Sequence, residues 1–291
     1  MSKKNKNRQQ RANTAQETLN IIEQGHYINT LGEQIDLKEN MVRAIDRAIF
    51  LDPEGLNLLS SKVPKLKEDK ESFETIIELY NETTLSAAHR LATEENEDKV
   101  LCLNFASAKN PGGGFLGGSQ AQEESLARAS TLYPTLTQFM EPMYMFHRKY
   151  GTCLYSHRMI YSPEVAVFRD DFDNLLDQPY YTAFITAPAV NAGCIRSNEP
   201  KKTKKIEPTM LERVEAVLAT AYTQGHEVLV LGAWGCGVFR NNPTDIASYF
   251  AQFLRNGGLY AGAFRKIVFA VLDNSKKEEI FKAFESSLIA K

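Results

Sequence analysis

Residues 100–124 run VLCLNFASAKNPGGGFLGGSQAQEE. The first six are apolar apart from Asn104, which predicts a short strand buried on both faces. Asn110 and Pro111 follow, then the three consecutive glycines Gly112, Gly113 and Gly114, with Gly117 and Gly118 close behind. Glycines let a backbone approach a bulky anionic ligand and turn its N–H groups toward it. Gln122, Glu123 and Glu124 then open a helix predicted over residues 122–133. Carboxylates do proton chemistry on whatever such a loop holds. The order strand, glycine loop, acidic helix start makes this segment the middle of a layered α/β fold and places a ligand at the end of its strand.

The flanking sequence extends the pattern. Upstream, residues 73–80 are predicted as a strand and residues 81–95 as a helix, with Leu85, Ala88 and Leu91 on one face and Thr83 or Thr84 as the cap. With residues 100–105 these make a β-α-β unit, hence parallel strands with a right-handed crossover. Downstream, Pro134 is expected to interrupt the helix, and a second helix to run over residues 136–150. Residues 158–168 form a strand that Pro163 makes irregular or confines to an edge. Further strands are expected at 181–187, 227–231 and 266–272. Helices are expected at 208–224, stopped by Gly225, at 243–255, started by Pro243, and at 276–290. Strand–helix alternation through residues 71–291 predicts an α/β fold with a largely parallel sheet. Before it, residues 8–24 carry Ala12, Ala15, Leu19 and Ile22 at helical spacing and end at Gly25. Residues 26–70 hold short elements around Pro53 and Pro64.

A second predicted strand also ends in glycines: Gly232-Ala233-Trp234-Gly235-Cys236-Gly237-Val238-Phe239. If both strands are central and parallel, both loops open on one rim and clamp a diphosphate between them. Neither loop carries the lysine of a Walker loop or a Gly-x-Gly-x-x-Gly fingerprint. Asn104 either bonds a ribose hydroxyl or makes a local Asx turn. Phe239 either packs on a sugar or base or fills the core. Trp234 is expected to be buried support. Thr83 and its neighbours Asn81 and Glu82 cap a helix or reach a base.

Composition narrows the class. The chain has 291 residues and a formal net charge of −2, so no global field draws in nucleic acid or membrane. The basic runs at residues 3–8 and 201–205 are expected to be solvated, as is the acidic group Asp170, Asp171 and Asp173. Cys102, Cys153, Cys194 and Cys236 are widely spaced, which argues against a disulfide scaffold and for a cytoplasmic location. The five histidines form no metal-ligand spacing. No charged-then-apolar leader and no apolar run of membrane-spanning length are expected.

At Gly112-Gly113-Gly114, a seven-residue spacer, and Gln122-Glu123-Glu124, the chain resembles the microbial-type poly(ADP-ribose) glycohydrolases of the macrodomain superfamily. The glycine loop ending at Phe239 is similar to the diphosphate loop of that family, and the resemblance runs from about residue 8 to the end. It implies a macrodomain-like three-layer α/β/α fold with a mixed, largely parallel sheet. Residues 1–70 would be an N-terminal helical extension packing on a catalytic core of residues 71–291. It implies a glycoside hydrolase that cleaves ribose–ribose bonds of poly(ADP-ribose), with ADP-ribose and ADP-ribosylated proteins as partners and neither cofactor nor metal. Glu124 would be the catalytic acid and Glu123 would hold ribose hydroxyls. Asn104 would contact the terminal ribose and Phe239 would position it. Gly235, Cys236, Gly237 and Val238 would bind the diphosphate, and Gly112, Gly113, Gly114 and Gln122 would complete the ligand contacts. The tyrosine-bearing hairpin of human-type relatives has no counterpart in the sequence.

Three alternatives compete: a macrodomain that binds ADP-ribose without cutting, a hydrolase of mono-ADP-ribosyl or O-acetyl-ADP-ribose linkages, and an unrelated metal-dependent phosphate-binding enzyme.

Overall fold

A computed structural model describes residues 7–69, 71–255 and 257–289. The basic run at residues 3–8 lies outside them except for Asn7 and Arg8. In chain order the elements begin with α1 (Arg8–Gln24), β1 (His26–Ile28), β2 (Gln34–Asp36), α2 (Lys38–Asp46), β3 (Ile49–Leu51) and α3 (Pro53–Glu68). The next are β4 (Ile76–Tyr80), α4 (Thr84–His89), β5 (Val100–Phe105), α5 (Gln122–Ala129), α6 (Leu132–Thr137) and α7 (Phe146–Lys149). The last are β6 (Met159–Arg169), β7 (Leu175–Ala187), α8 (Ala192–Asn198), α9 (Ile206–Thr223), β8 (Val228–Leu231), α10 (Pro243–Leu254), β9 (Lys266–Ala270) and α11 (Glu279–Leu288).

Seven strands form one sheet in the order β3-β6-β7-β5-β8-β9-β4. The pairs β7–β5, β5–β8, β8–β9 and β9–β4 are parallel, whereas β6 runs antiparallel to both β3 and β7. The sheet is therefore mixed and largely parallel. The central strands are mostly apolar because helices cover both faces, and the two-residue period divides their side chains. Leu101, Leu103, Leu229, Leu231, Ile267 and Phe269 join one cluster with Val214 and Val217 of α9 and Ile246 and Phe250 of α10. Val100, Cys102, Val228, Val230, Val268 and Ala270 join another with Leu85 of α4, Leu126 of α5 and Leu132 of α6.

Several expectations change in detail. The helix break after α5 falls at Ser130, whose backbone is extended and bridges to Val167. Pro134 does not cause it. It lies in the first turn of α6, where its missing N–H has no intrahelical partner to lose. The helix expected over 136–150 is instead the end of α6, a π-helical turn at Met140–Met145 and α7. β6 is interior only where β3 covers residues 159–161, and its register with β7 shifts between Ser162 and Val165, around Pro163. α1 has the expected bounds, with Gly25 left-handed at its end, but buries Thr14, Ala15, Thr18 and Ile21. The hairpin of β1 and β2 has too few apolar residues to be read in advance.

Candidate active site

β5 and β8 are adjacent parallel strands, with Val100 opposite Val228 and Cys102 opposite Val230. Their two glycine loops therefore leave the same rim of the sheet side by side. A Cβ on Gly232 would stand 3.1 Å from the Phe105 ring and 2.4 Å from the Ala270 carbonyl oxygen, so only glycine fits where the second loop leaves β8.

The first loop is shaped around the two carboxylates. Gly112 and Gly113 are both left-handed, with φ of 67° and 61°. A Cβ on Gly113 would lie 2.3 Å from Oε1 of Glu124 and 3.2 Å from Oε2 of Glu123, so both side chains converge on this glycine from one side. The Gly114 N–H donates to Glu124 Oε1 at 3.0 Å, and the Gly113 N–H donates to the Asn110 carbonyl. Glu124 is half-buried, whereas Glu123 is 3% exposed. Glu123 Oε2 accepts the Ser107 N–H at 2.6 Å, and its Oε1 has no partner among the described residues. Burial pushes the Glu123 carboxyl well above its ordinary pKa and the Glu124 charge pushes the same way, while the Ser107 N–H and the Asn104 side chain oppose them.

Asn104 lies opposite Thr186 of β7 and donates to its hydroxyl at 3.0 Å, leaving its buried Oδ1 without a partner among the described residues. It is therefore a strand residue with a spare acceptor, not an Asx turn. Gln122 is engaged at both ends of its amide. Oε1 accepts the Phe105 N–H at 2.8 Å, and Nε2 donates to the Leu103 carbonyl at 2.7 Å and to Thr84 Oγ1 at 3.0 Å. It pins the start of α5 to the end of β5 and thereby sets the position of both glutamates.

In the second loop Trp234 is fully buried and donates from Nε1 to the Ala187 carbonyl, the support role expected of it. Gly235 is left-handed, and a Cβ there would come within 2.6 Å of Ala189 Cβ. Asn241 buttresses this turn by donating from Nδ2 to the Val190 carbonyl. The Cys236 N–H closes a turn on the Ala233 carbonyl. The N–H groups of Gly235, Gly237, Val238 and Phe239 have no acceptor among the described residues, and Val238 is 82% exposed. Phe239 is half-buried against the core, with its ring 6.1 Å from that of Tyr155.

α1 supports the first loop from outside. Arg8 and Arg11 donate to the Gly117 and Gly118 carbonyls, both at 2.8 Å, and Ala15 packs with Phe115 and Ala127. Nothing in the residue pattern signals these contacts beyond the helix itself.

Thr83 caps α4, and Asn81 pairs with the backbone of Asp273, so both serve the scaffold. The acidic group is not simply solvated. Asp171 accepts from Thr83, Asp173 lies 3.3 Å from Arg128, and Asp170 caps the turn between β6 and β7. Residues 200–205 form a 3-10 helix, and Lys202 pairs with Glu199. Cys153 and Cys194 are joined in a disulfide despite their separation of 41 residues, because the fold sets the segment before β6 against α8. With Glu199 they are the one group of three metal-capable side chains among the described residues, but their sulfurs are bonded to each other. None of the described helices is long and apolar enough to cross a membrane.

The family model for the microbial-type PARG (poly(ADP-ribose) glycohydrolase) catalytic domain matches residues 15–170, which hold the first loop and both glutamates. The chain belongs to this family. Among solved structures, the poly(ADP-ribose) glycohydrolase of Thermomonospora curvata is 42% identical, with a TM-score of 0.90 over 96% of this chain and 100% of that one. The same enzyme bound to the inhibitor ADP-HPD is 42% identical, with a TM-score of 0.87 over 96% and 99%. The poly(ADP-ribose) glycohydrolase of Deinococcus radiodurans in complex with ADP-ribose is 42% identical, with a TM-score of 0.80 over 86% and 97%. A comparison with curated proteins found no match. The mixed sheet between helical layers is thus the macrodomain-like fold of these glycohydrolases.

Proposed function

We infer that this enzyme, a poly(ADP-ribose) glycohydrolase, releases ADP-ribose by cutting ribose–ribose O-glycosidic bonds with Glu124 as general acid and base. The observation that carries the assignment is the convergence of Glu123 and Glu124 on Gly113 beside a second loop whose N–H groups are unsatisfied among the described residues. An anionic diphosphate suits the free N–H groups of Gly235, Gly237, Val238 and Phe239, with Cys236 holding the turn between them. The spare acceptors on Glu123 and Asn104 suit ribose hydroxyls, each of which brings a proton to donate. Phe239 flanks the sugar. Gly112, Gly113 and Gly114 let the ligand and the carboxylates share one crevice, and Gln122 fixes the helix that carries them.

Paired glycosidase carboxylates flank the scissile bond from opposite faces. Glu123 and Glu124 approach from one side, so they divide the work differently. Glu124, the more exposed, gives a proton to the departing ribose oxygen and then takes one from the attacking water. Glu123 holds the sugar while positive charge develops at its anomeric carbon, and the adjacent diphosphate helps to stabilise that charge. The step as written uses no metal, so turnover is expected to persist with a chelator present.

The described part of residues 1–70 we read as an extension that packs on the catalytic core of residues 71–291, with α1 bracing the first loop and β3 adding an edge strand. ADP-ribosylated proteins are the proposed macromolecular partners, with no role for direct nucleic-acid binding. The cytoplasm, expected from the cysteine spacing, is the proposed location; the Cys153–Cys194 bond argues the other way, and cell fractionation decides between them.

The test of the substrate is a release assay on polymer and on singly modified protein, with thermal melts in ADP-ribose, ATP and NAD. Free ADP-ribose from polymer, and a melt raised by ADP-ribose above the other two, is expected. Release from singly modified protein alone would move the assignment to a mono-ADP-ribosyl hydrolase.

A further inference from the structure

Tyr155 is left-handed, with φ of 57°, a conformation that costs a bulky residue free energy and persists only where the surroundings over-determine it. The surroundings here come from four directions. The Cys153–Cys194 disulfide ties the chain two residues earlier to α8. Glu199, just after α8, accepts the Thr152 hydroxyl and the Cys153 N–H at 2.6 and 2.7 Å. Arg213 of α9, fully buried, donates to the Leu154, Tyr155 and Pro188 carbonyls. On the far side, His147 accepts the Ser156 N–H at Nε2, 3.1 Å away, and its Nδ1 faces the Met143 carbonyl. Burial lowers the His147 pKa to about 4, which keeps Nε2 free to accept.

What this frame holds in place is an aromatic ring against Phe239. Tyr155 is 8% exposed, and its ring lies 6.1 Å from Phe239 at 44°. The same α8 that carries Cys194 also holds the end of the second glycine loop. Gly193 donates to the Phe239 carbonyl at 2.9 Å, and Arg196 donates to the Arg240 carbonyl at 2.9 Å. Phe239 is thus fixed through its backbone by α8 and through its ring by Tyr155, and the disulfide locks those two supports together.

We propose that Tyr155 is a positioning residue for the glycosidic step, setting the Phe239 ring against the ribose, and that the Cys153–Cys194 bond holds it there. The proposal rests on the reading of Phe239 as a wall of the ribose site. It accounts for a strained conformation, and for the buried arginine of α9 that bonds it, in a segment that contributes no residue to the two loops or the acidic pair.

The test is a double-mutant cycle read by kcat on polymer, by ADP-ribose Kd and by Tm. Tyr155→Ala lowers kcat about tenfold, since a shift of about 1 Å in a positioning group costs up to about a hundredfold. Its ADP-ribose Kd changes by less than about threefold, because the diphosphate contacts stay. Tyr155→Phe, which keeps the ring, restores kcat to within about twofold of the parent. In a Phe239→Ala background, Tyr155→Ala has no further effect beyond about twofold. The variant Cys153→Ser/Cys194→Ser lowers kcat in the same direction, and that effect also disappears once Phe239 is gone. Where Tyr155→Ala folds poorly by its Tm, Tyr155→Leu and the disulfide variant carry the same comparison. Unchanged kcat in Tyr155→Ala, or an undiminished loss without Phe239, overturns the proposal and leaves Tyr155 a packing residue. An inert Glu124→Gln enzyme beside a fully active Tyr155→Ala enzyme defeats this proposal alone, whereas an active Glu124→Gln enzyme defeats the catalytic reading beneath it.

Discussion

The Gly114 N–H donates to Oε1 of Glu124 at 3.0 Å, and the neighbouring Gly113 leaves only enough room for that carboxylate to reach it. The glycine run is therefore a seat for the Glu124 carboxylate, beside its proposed part in cradling the ligand. A methyl group on Gly113 meets Glu124 Oε1 at 2.3 Å and also forces an L-residue to hold φ of 61°. Gly113→Ala is expected to displace Glu124 and lower kcat by about a hundredfold or more. The backbone strain costs about 1–2 kcal/mol of stability. Steady-state kinetics with a urea titration separates the two effects. Normal kcat would show that the carboxylate has no fixed seat.

Glu123 is buried with one oxygen unpartnered among the described residues, and burial raises its pKa. A carboxyl that binds its proton more tightly when folded favours folding at low pH and loses that contribution as pH rises through the folded pKa. Glu123→Gln, which removes the charge, is expected to be more stable than the parent at neutral pH. The difference should shrink as pH falls toward the ordinary carboxyl value of 4.5. Thermal melts of both proteins between pH 4 and 8 check the sign. A Glu123→Gln protein less stable at pH 8 than the parent would mean that the carboxylate is well solvated or paired.

Gln122 joins α5 to β5 through three hydrogen bonds, to Phe105, Leu103 and Thr84. Gln122→Ala leaves two backbone groups at the strand end unpaired and is expected to cost about 2–4 kcal/mol. Because the glutamates follow directly, kcat should fall in the same variant even where the folded fraction is held constant. Lost ADP-ribose affinity with unchanged stability would instead make Gln122 a direct ligand contact.

Gly235→Ala places a methyl 2.6 Å from Ala189 Cβ at φ of 73°, which tilts the second loop and its free N–H groups. ADP-ribose affinity is expected to fall about tenfold or more, equivalent to about 1.4 kcal/mol. Isothermal titration measures it, and unchanged affinity would remove this turn from the diphosphate site.

Much of this was legible because the chemistry is local. The apolar run before Asn104, the left-handed glycines and the acidic helix start are consecutive in the chain, and strand–helix alternation gave the layers. The loop at Phe239 was legible for the same reason. What stayed hidden depends on contacts between distant segments. The Cys153–Cys194 bond spans 41 residues without a motif. The arginines of α1 bond carbonyls more than 100 residues away, at Gly117 and Gly118. Asp171 and Asp173 looked like solvent-facing acids because their partners, Thr83 and Arg128, lie on separate helical segments. Gln122 shows the limit in another way: a side-chain amide beside two carboxylates suggests a ligand contact, and only the fold reveals that its amide also bonds Phe105, Leu103 and Thr84.

The most direct measurement is turnover of poly(ADP-ribose) by Glu124→Gln beside its affinity for free ADP-ribose. The substitution keeps the shape of the side chain and removes its proton. Loss of kcat by about a thousandfold or more, with ADP-ribose affinity held within about threefold, is the predicted result. Turnover within about tenfold of the parent enzyme would contradict the account, because the proton would then come from elsewhere.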